Sequence, residues 1–67
     1  MPFDVKALLI EENLMDAYQK RPPYQQNDYI GWIIKAKMQE TREKRIHQMI
    51  EELRNNNKYM GMDYHAK

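Results

Sequence analysis

The chain has 67 residues, of which 11 are lysine or arginine and 10 are aspartate or glutamate, so its formal net charge is +1 at pH 7. Such a short chain buries only about 60% of the surface that its unfolded form exposes, and it has no cysteine for disulfides or thiolate metal sites. The small net charge excludes strong long-range attraction to nucleic acid or anionic lipid. Apolar residues at helical spacing predict one all-α domain over 1–67, with frayed ends near 1–3 and 65–67.

The first two predicted helices are short and are separated by a change in the phase of the apolar residues. Asp4 is predicted to cap the first helix, whose apolar face includes Leu8. In one unbroken helix, the next apolar residues up to Tyr18 would face nearly the opposite side. Because Asn13 is a good N-cap, we place a second helix at about 14–20.

The third predicted helix follows an elbow formed by two prolines. Pro22 and Pro23 end the second helix, and the third runs from Tyr24 to near Met38. Its apolar face is formed by Tyr29, Ile30, Ile33, Ile34 and Ala36, with Trp32 partly exposed at the edge. Gly31 weakens a helix by about 1 kcal/mol relative to alanine, so we expect another backbone or a ring to approach closely there.

The fourth predicted helix, at about 40–55, carries the clearest apolar stripe of the chain. That stripe has the spacing of one buried face and consists of Ile46, Met49, Ile50 and Leu53. We therefore predict a compact bundle of about four helices, with two short N-terminal helices packed on an antiparallel pair. The apolar tail, including Tyr59, Met60, Met62 and Tyr64, is expected to fold back onto the bundle.

Two arginines of the fourth helix are candidates for a binding site. Lys44, His47 and Arg54 can pair with Glu40, Glu43 and Glu51 along the same helix, whereas Arg42 and Arg45 have no acidic residue three or four positions away. They could brace the bundle through Asp16 or Asp28. They could also bind a phosphate or carboxylate, in a tentative site comprising Trp32, Lys37, Thr41, Arg42 and Arg45.

Other chemistry is less well supported by the residues. A set of aromatic residues could stack on bases but is more typical of core and tail packing: Tyr24, Tyr29, Trp32, Tyr59 and Tyr64. Glu43, His47 and Glu51 could ligate a metal, but a solvated helix face explains them as well. Serine and cysteine do not occur, so Thr41 is the only common hydroxyl or thiol nucleophile. We expect no catalytic residues, no metal and no cofactor.

The sequence gives two indications on location. Its longest apolar run, residues 7–10, is far shorter than the roughly 20 residues that a membrane span requires, so we expect a cytoplasmic protein. The third helix could lie on a membrane as an amphipathic segment, but its apolar face is better explained as bundle core.

A series of motifs in the middle of the chain resembles a known family. Pro22 and Pro23 are followed by Tyr29, by Trp32 and Ile33, by Ala36 and Lys37, and then by Glu40, Thr41, Arg42, Arg45 and Ile46. This order resembles the YdeI/OmpD-associated, or bacteriocin-protection, family, and the likeness extends from about Leu8 into the tail. Asn27 and Asp28 stand where family members often have a basic pair and a glutamate.

The resemblance implies a helical module without a defined reaction, associated by name with bacteriocin or antimicrobial-peptide protection. It places Tyr29, Trp32, Ala36, Lys37, Thr41, Arg42 and Arg45 at the family's motif positions. We therefore expect a non-enzymatic binding domain whose partner is another protein. A small nucleic-acid or phosphate-ligand binder using the same cations is the alternative.

Overall fold

The computed structural model describes residues 1–55 and 58–63. These residues form four helices and one short hairpin: α1 (Phe3–Glu11), α2 (Met15–Lys20), α3 (Pro23–Ile34), α4 (Gln39–Asn55), β1 (Lys58–Tyr59) and β2 (Met62–Asp63). The predicted all-α fold is confirmed. The expectations for Tyr64 and for residues 65–67 fall outside the described residues.

The long helices α3 and α4 form the predicted antiparallel pair. Trp32, near the end of α3, contacts Arg45 near the start of α4, and Tyr29 lies further back along α3 against Glu52 near the end of α4. The core between the elements includes residues of every helix: Val5, Leu9, Tyr18, Tyr29, Ile33, Ile46, Met49, Ile50 and Leu53. The apolar stripe predicted for α4 is fully buried, which confirms that part of the sequence interpretation.

The boundary between α1 and α2 lies where the sequence predicted it, but for a different reason. Asn13 adopts a left-handed conformation, with φ of 58°, and follows the C-terminus of α1 instead of capping α2. Its amide donates to the Ile10 carbonyl, and the Leu14 amide donates to the Leu9 carbonyl. These two bonds are those of a Schellman motif, in which asparagine can replace the usual glycine because it tolerates positive φ.

The other predicted cap was also wrong. α1 begins at Phe3 after an extended Pro2, and its N-cap residue makes no side-chain hydrogen bond. Phe3 is therefore the first residue of the helix. Asp4 lies inside the first turn, where its carboxylate binds a guanidinium of α4.

Two predictions for α3 also required correction. The helix ends at Ile34, four residues before the predicted Met38, because the chain needs the segment 35–38 to reverse direction into α4. Among the described residues, Gly31 is not in a close contact: a Cβ atom built there would have none of their heavy atoms within 4 Å outside its own local helix. These residues give no packing reason for a glycine at this position.

The C-terminal segment folds back as predicted, but as a hairpin. Tyr59 pairs with Met62, so Met60 and Gly61 form a two-residue turn in which both have positive φ, 52° and 80°. Such turns match the twist of the two strands. Tyr59 packs edge-on against Tyr29, with ring centroids 5.4 Å apart, and this contact holds the hairpin on the bundle.

A buried carboxylate joins this hairpin to the helix pair. Glu52 is only 6% exposed, and its side chain accepts hydrogen bonds from the Tyr29 hydroxyl and the Gln48 amide. It also accepts from the backbone amides of Met60 and Gly61, both at 2.8 Å. Four donors nearly exhaust the lone pairs of a carboxylate, so the charge is compensated by oriented dipoles although it is buried.

The same part of α4 is tied to the elbow between α2 and α3. Arg21, which is 2% exposed, donates to the backbone carbonyl of Glu52 at 3.0 Å and to the side-chain oxygen of buried Gln25 at 3.2 Å. Its guanidinium also lies 6.0 Å from the centre of the Tyr29 ring. We call Arg21, Gln25, Tyr29 and Glu52 the buried polar network.

This network is not evident from the sequence. Glu52 offered one signal, since no lysine or arginine lies three or four positions from it in the chain. An acidic residue without local pairing and adjacent to an apolar stripe is a candidate for tertiary hydrogen bonding. Arg21, directly before two prolines, carried no comparable signal.

The network shifts the pKa of its carboxyl and phenol groups in opposite directions. Burial by itself would raise the pKa of Glu52, but the bonds from Tyr29, Gly61, Met60 and Gln48 outweigh it and hold this pKa below its usual value. Burial, reinforced by the bond to Glu52, raises the pKa of Tyr29. The folded state therefore favours an ionised Glu52 and a neutral Tyr29.

Replacing Gly31 by alanine should stabilise the protein, because the helix gains propensity and the added methyl group meets open space. We expect the free energy of unfolding to rise by about 0.5 to 1 kcal/mol, measured by urea denaturation. Gly61→Ala is the matched control and should destabilise, since φ at Gly61 is +80°. Loss of stability in Gly31→Ala would contradict the open environment described for this position.

Stability should fall in acid because of Glu52. Its folded-state pKa is depressed below the ordinary 4.5, so its contribution is complete above that pH and is lost as the pH falls through the folded-state value. We expect Glu52→Gln to lower the free energy of unfolding at pH 7 by about 1 to 3 kcal/mol, because an amide cannot accept all four bonds. The variant should also lose less stability than the parent between about pH 5 and pH 3.

The control for this experiment is Glu51→Gln, one residue away on the exposed side of α4. It should change stability at pH 7 by less than about 0.5 kcal/mol. Equal effects of the two substitutions in urea denaturation would show that the buried network does not stabilise the fold.

Candidate functional site

An open groove separates α1 from the first half of α4. Two ion pairs bridge the helices: Arg42 with Asp4 in the groove lining, near the start of both helices, and Arg54 with Glu12 outside that lining, near the end of both. Arg42 donates to the two carboxylate oxygens of Asp4 at 2.6 and 3.0 Å. The helices thus run in the same direction, and the groove has a volume of about 720 Å³.

The lining of this groove combines apolar and acidic residues. Phe3, Ala7 and Leu8 line it from α1, and Ile46 lines it from α4. Phe3 is 84% exposed, the largest value among the exposed large apolar residues of the described chain. The polar lining is completed by Asp4, Glu11, Gln39, Arg42, Glu43 and His47. Exposed aromatic and aliphatic surface within a polar rim is typical of a protein interaction site.

The structure separates the two arginines that the sequence analysis grouped. Arg42 points towards α1 and binds Asp4, and this bond lowers the pKa of the Asp4 carboxyl and raises that of Arg42. Arg45 points towards α3, where it donates to the Trp32 carbonyl at 2.6 Å and lies 5.3 Å from the centre of the indole ring. Both arginines thus connect helices, but the predicted partners Asp16 and Asp28 were wrong.

The remaining residues of the tentative site lie around the turn between α3 and α4. Trp32 is half-buried, as predicted, while Lys37 is exposed in the connection before α4. Thr41 is half-buried in the first turn of α4. Of the five residues proposed from sequence, only Arg42 lines the groove. Whether this group binds a ligand remains a prediction.

The aromatic residues serve mainly as packing elements. Tyr29 is fully buried, and Tyr59 makes edge-on contacts with both Tyr29 and Tyr24. The Tyr59 hydroxyl donates to Asp28 at 2.5 Å. Tyr29 and Tyr59 are therefore used in packing, whereas Tyr24 is 60% exposed. Tyr64 lies outside the described residues.

The charged face of α4 also has local pairing. Lys44 reaches Glu40 at 3.8 Å and Arg54 reaches Glu51 at 3.4 Å, as the spacing predicted. Glu43 accepts a hydrogen bond from Gln39. In residues 1–55 and 58–63, no cluster of three histidine, cysteine, aspartate or glutamate side chains suits a metal ion. No helix within the same ranges is long and apolar enough to cross a bilayer.

The groove was not identified from the sequence because its signals are tertiary. Phe3 precedes the predicted start of the first helix and was assigned to a frayed end. Glu11 lies on the same helix, but it becomes part of an acidic lining only because the fold places it in one groove with Glu43. The sequence contained one indication of the site: Arg42 has no acidic residue three or four positions away, and Arg42 lies in the groove lining.

The Arg42–Asp4 pair can be tested through the Asp4 carboxyl. We expect Arg42→Gln to raise the pKa of Asp4 towards its ordinary value of 3.8, as followed by an NMR titration of the side-chain carboxyl. Stability at pH 7 should fall by less than about 1 kcal/mol, because the pair is partly exposed. Arg54→Gln is the control and should leave the pKa of Asp4 unchanged. An unchanged pKa in Arg42→Gln would mean that the pair does not form in solution.

Comparison with known proteins agrees with the likeness seen in the motifs. No curated protein and no solved structure matches the chain. The model of one family, described as bacteriocin-protection, YdeI or OmpD-associated, matches residues 1–56. This range includes all four helices, both arginines and the groove, but not the hairpin. The chain therefore belongs to the YdeI or OmpD-associated bacteriocin-protection family.

Proposed function

We propose that this chain is a non-enzymatic binding domain that docks a polypeptide partner in the groove between α1 and α4. The observation that carries the proposal is Phe3, which is 84% exposed at the mouth of an apolar groove. Covering such a side chain stabilises a complex by about 1.5 to 3 kcal/mol. An exposed phenylalanine beside Ala7, Leu8 and Ile46 is the central, apolar part that a protein interface requires.

The shape of the groove favours a polypeptide over a small molecule. It runs between two helices and is open along its length, whereas small-molecule sites enclose most of their ligand. A helix or an extended segment can lie along such a groove and contact both walls. Serine and cysteine are missing from the sequence, and Thr41 does not line the groove, so the site offers no common nucleophile.

The charges of the groove do not favour the alternative, a nucleic-acid or phosphate ligand. Asp4, Glu11 and Glu43 line it together with a single guanidinium, that of Arg42. The resulting excess of negative charge repels a phosphate backbone. Arg45, the other candidate cation, already binds the Trp32 carbonyl.

The family description adds a biological setting to this proposal. We infer that the chain acts in the cytoplasm and that its partner belongs to the process named by the family, protection against bacteriocins. A binding domain can serve this process without a reaction of its own. The partner itself is to be identified by experiment.

A photocrosslinking experiment tests the proposal at the groove itself. Benzoylphenylalanine placed at Phe3 in the full chain should crosslink a polypeptide in cells, to be identified by mass spectrometry. The same group at Ile34, which is 59% exposed on another surface, is the matched control and should not crosslink it. Excess unlabelled protein should compete for the crosslinked partner. Ala7→Glu protein should not compete, because Ala7 is an exposed residue of the groove lining and the substitution places a charge there.

Two results would overturn the proposed function. A crosslinked species removed by nuclease would assign the groove to nucleic acid. Equal crosslinking of the same polypeptides from Phe3 and Ile34, insensitive to Ala7→Glu, would show that the groove binds no specific protein.

A further inference from the structure

The groove between α1 and α4 carries an uncompensated negative charge. Its lining contains three carboxylates, Asp4, Glu11 and Glu43, and one guanidinium, Arg42. Asp4 and Arg42 neutralise each other through their bidentate pair. The carboxylates of Glu11 and Glu43 remain, and within residues 1–55 and 58–63 neither takes part in an ion pair.

This charge is local and opposite in sign to that of the chain. The formal net charge of the protein is +1 at pH 7 with neutral histidines, whereas the groove lining sums to −2. The Gln39 amide, which donates to Glu43 at 3.2 Å, is uncharged and leaves the negative charge in place. A partner that covers the groove must therefore supply positive charge or leave two carboxylates partly desolvated without compensation.

The dimensions of the groove indicate the shape of the partner. α1 has nine residues, which corresponds to a length of about 13 Å at 1.5 Å per residue. The lining residues of α4 extend from Gln39 to His47, a similar length. A third helix of two to three turns fits alongside both walls, with apolar side chains at i, i+3 or i+4, and i+7 towards Phe3, Leu8 and Ile46.

We infer that the groove binds a cationic amphipathic helix, whose apolar stripe covers Phe3 and whose lysine or arginine side chains pair with Glu11 and Glu43. This inference rests on the proposed function and names the class of partner. The apolar contacts supply most of the affinity, while the two carboxylates select the charge of the partner. A second copy of this chain or an acidic segment would be a different occupant, and both are outcomes of the test.

The test uses three synthetic amphipathic helices with one apolar face in common and lysine, glutamine or glutamate on the polar face. Each is titrated into the labelled full chain at low salt, with affinity and amide shifts measured together. We expect the lysine peptide to shift groove residues and to bind at least about tenfold more tightly than the glutamine peptide, with the glutamate peptide weakest. The preference should shrink at moderate salt, since both carboxylates are exposed.

Charge variants test whether the preference for the lysine peptide arises at the groove or elsewhere on the surface. Glu11→Gln combined with Glu43→Gln should remove the preference for lysine but keep binding of the glutamine peptide. Glu40→Gln combined with Glu51→Gln is the control, because it changes the net charge equally on α4 outside the groove. This control should retain nearly the full preference.

Three results would overturn the inference. If the glutamine or glutamate peptide binds as tightly as the lysine peptide or more tightly, the inference that the partner is cationic is wrong, although the groove still binds a helix. If none of the three peptides binds but a polypeptide is still crosslinked from position 3, the partner is not an amphipathic helix, and the proposed function still holds. Concentration-dependent self-association in sedimentation, with shifts at the groove, would identify a second copy of the chain as the occupant.

Discussion

The buried carboxylate of Glu52 is the interaction on which the remainder of this structure depends. It receives donors from α3 through Tyr29, from α4 through Gln48, and from the hairpin through two backbone amides. The backbone carbonyl of the same residue receives Arg21 from the elbow before α3. A chain of this size has little apolar core and no disulfide, so a buried, hydrogen-bonded polar cluster takes over the role of fixing elements relative to one another.

This arrangement distributes stability unevenly along the molecule. The α3–α4 pair is fixed by both the core and the buried polar network, whereas α1 contributes Val5 and Leu9 to the core and is otherwise bridged to α4 by partly exposed ion pairs. Exposed pairs stabilise a protein only slightly. The groove therefore lies beside a helix that the buried polar network does not fix, and binding surfaces are often formed by such elements because they can adjust to a partner.

Three arginines illustrate how surroundings, and not residue type, decide a role. Arg21 is buried and bonds to neutral oxygens, Arg45 contacts the carbonyl and ring of Trp32, and Arg42 pairs with a carboxylate at the rim of the groove. Only the last lies where a partner can reach it from the groove. Membership of the family sets the fold and its motifs, but the proposed function rests on the site that those motifs build.

The sequence by itself determined the helical class, the antiparallel pair and the buried stripe of α4, because apolar spacing at 3.6 residues per turn is a local property. It also located the break at Asn13 and the elbow at Pro22 and Pro23, although Asn13 acts through its left-handed backbone and not as an N-cap. Tertiary structure alone decided that Asp4 binds Arg42, that Glu52 is buried, and that Phe3 borders an acidic groove. Asp4 and Arg42 are 38 positions apart and Tyr29 and Glu52 are 23 positions apart. No local pattern encodes which distant polar groups will meet once the core has packed.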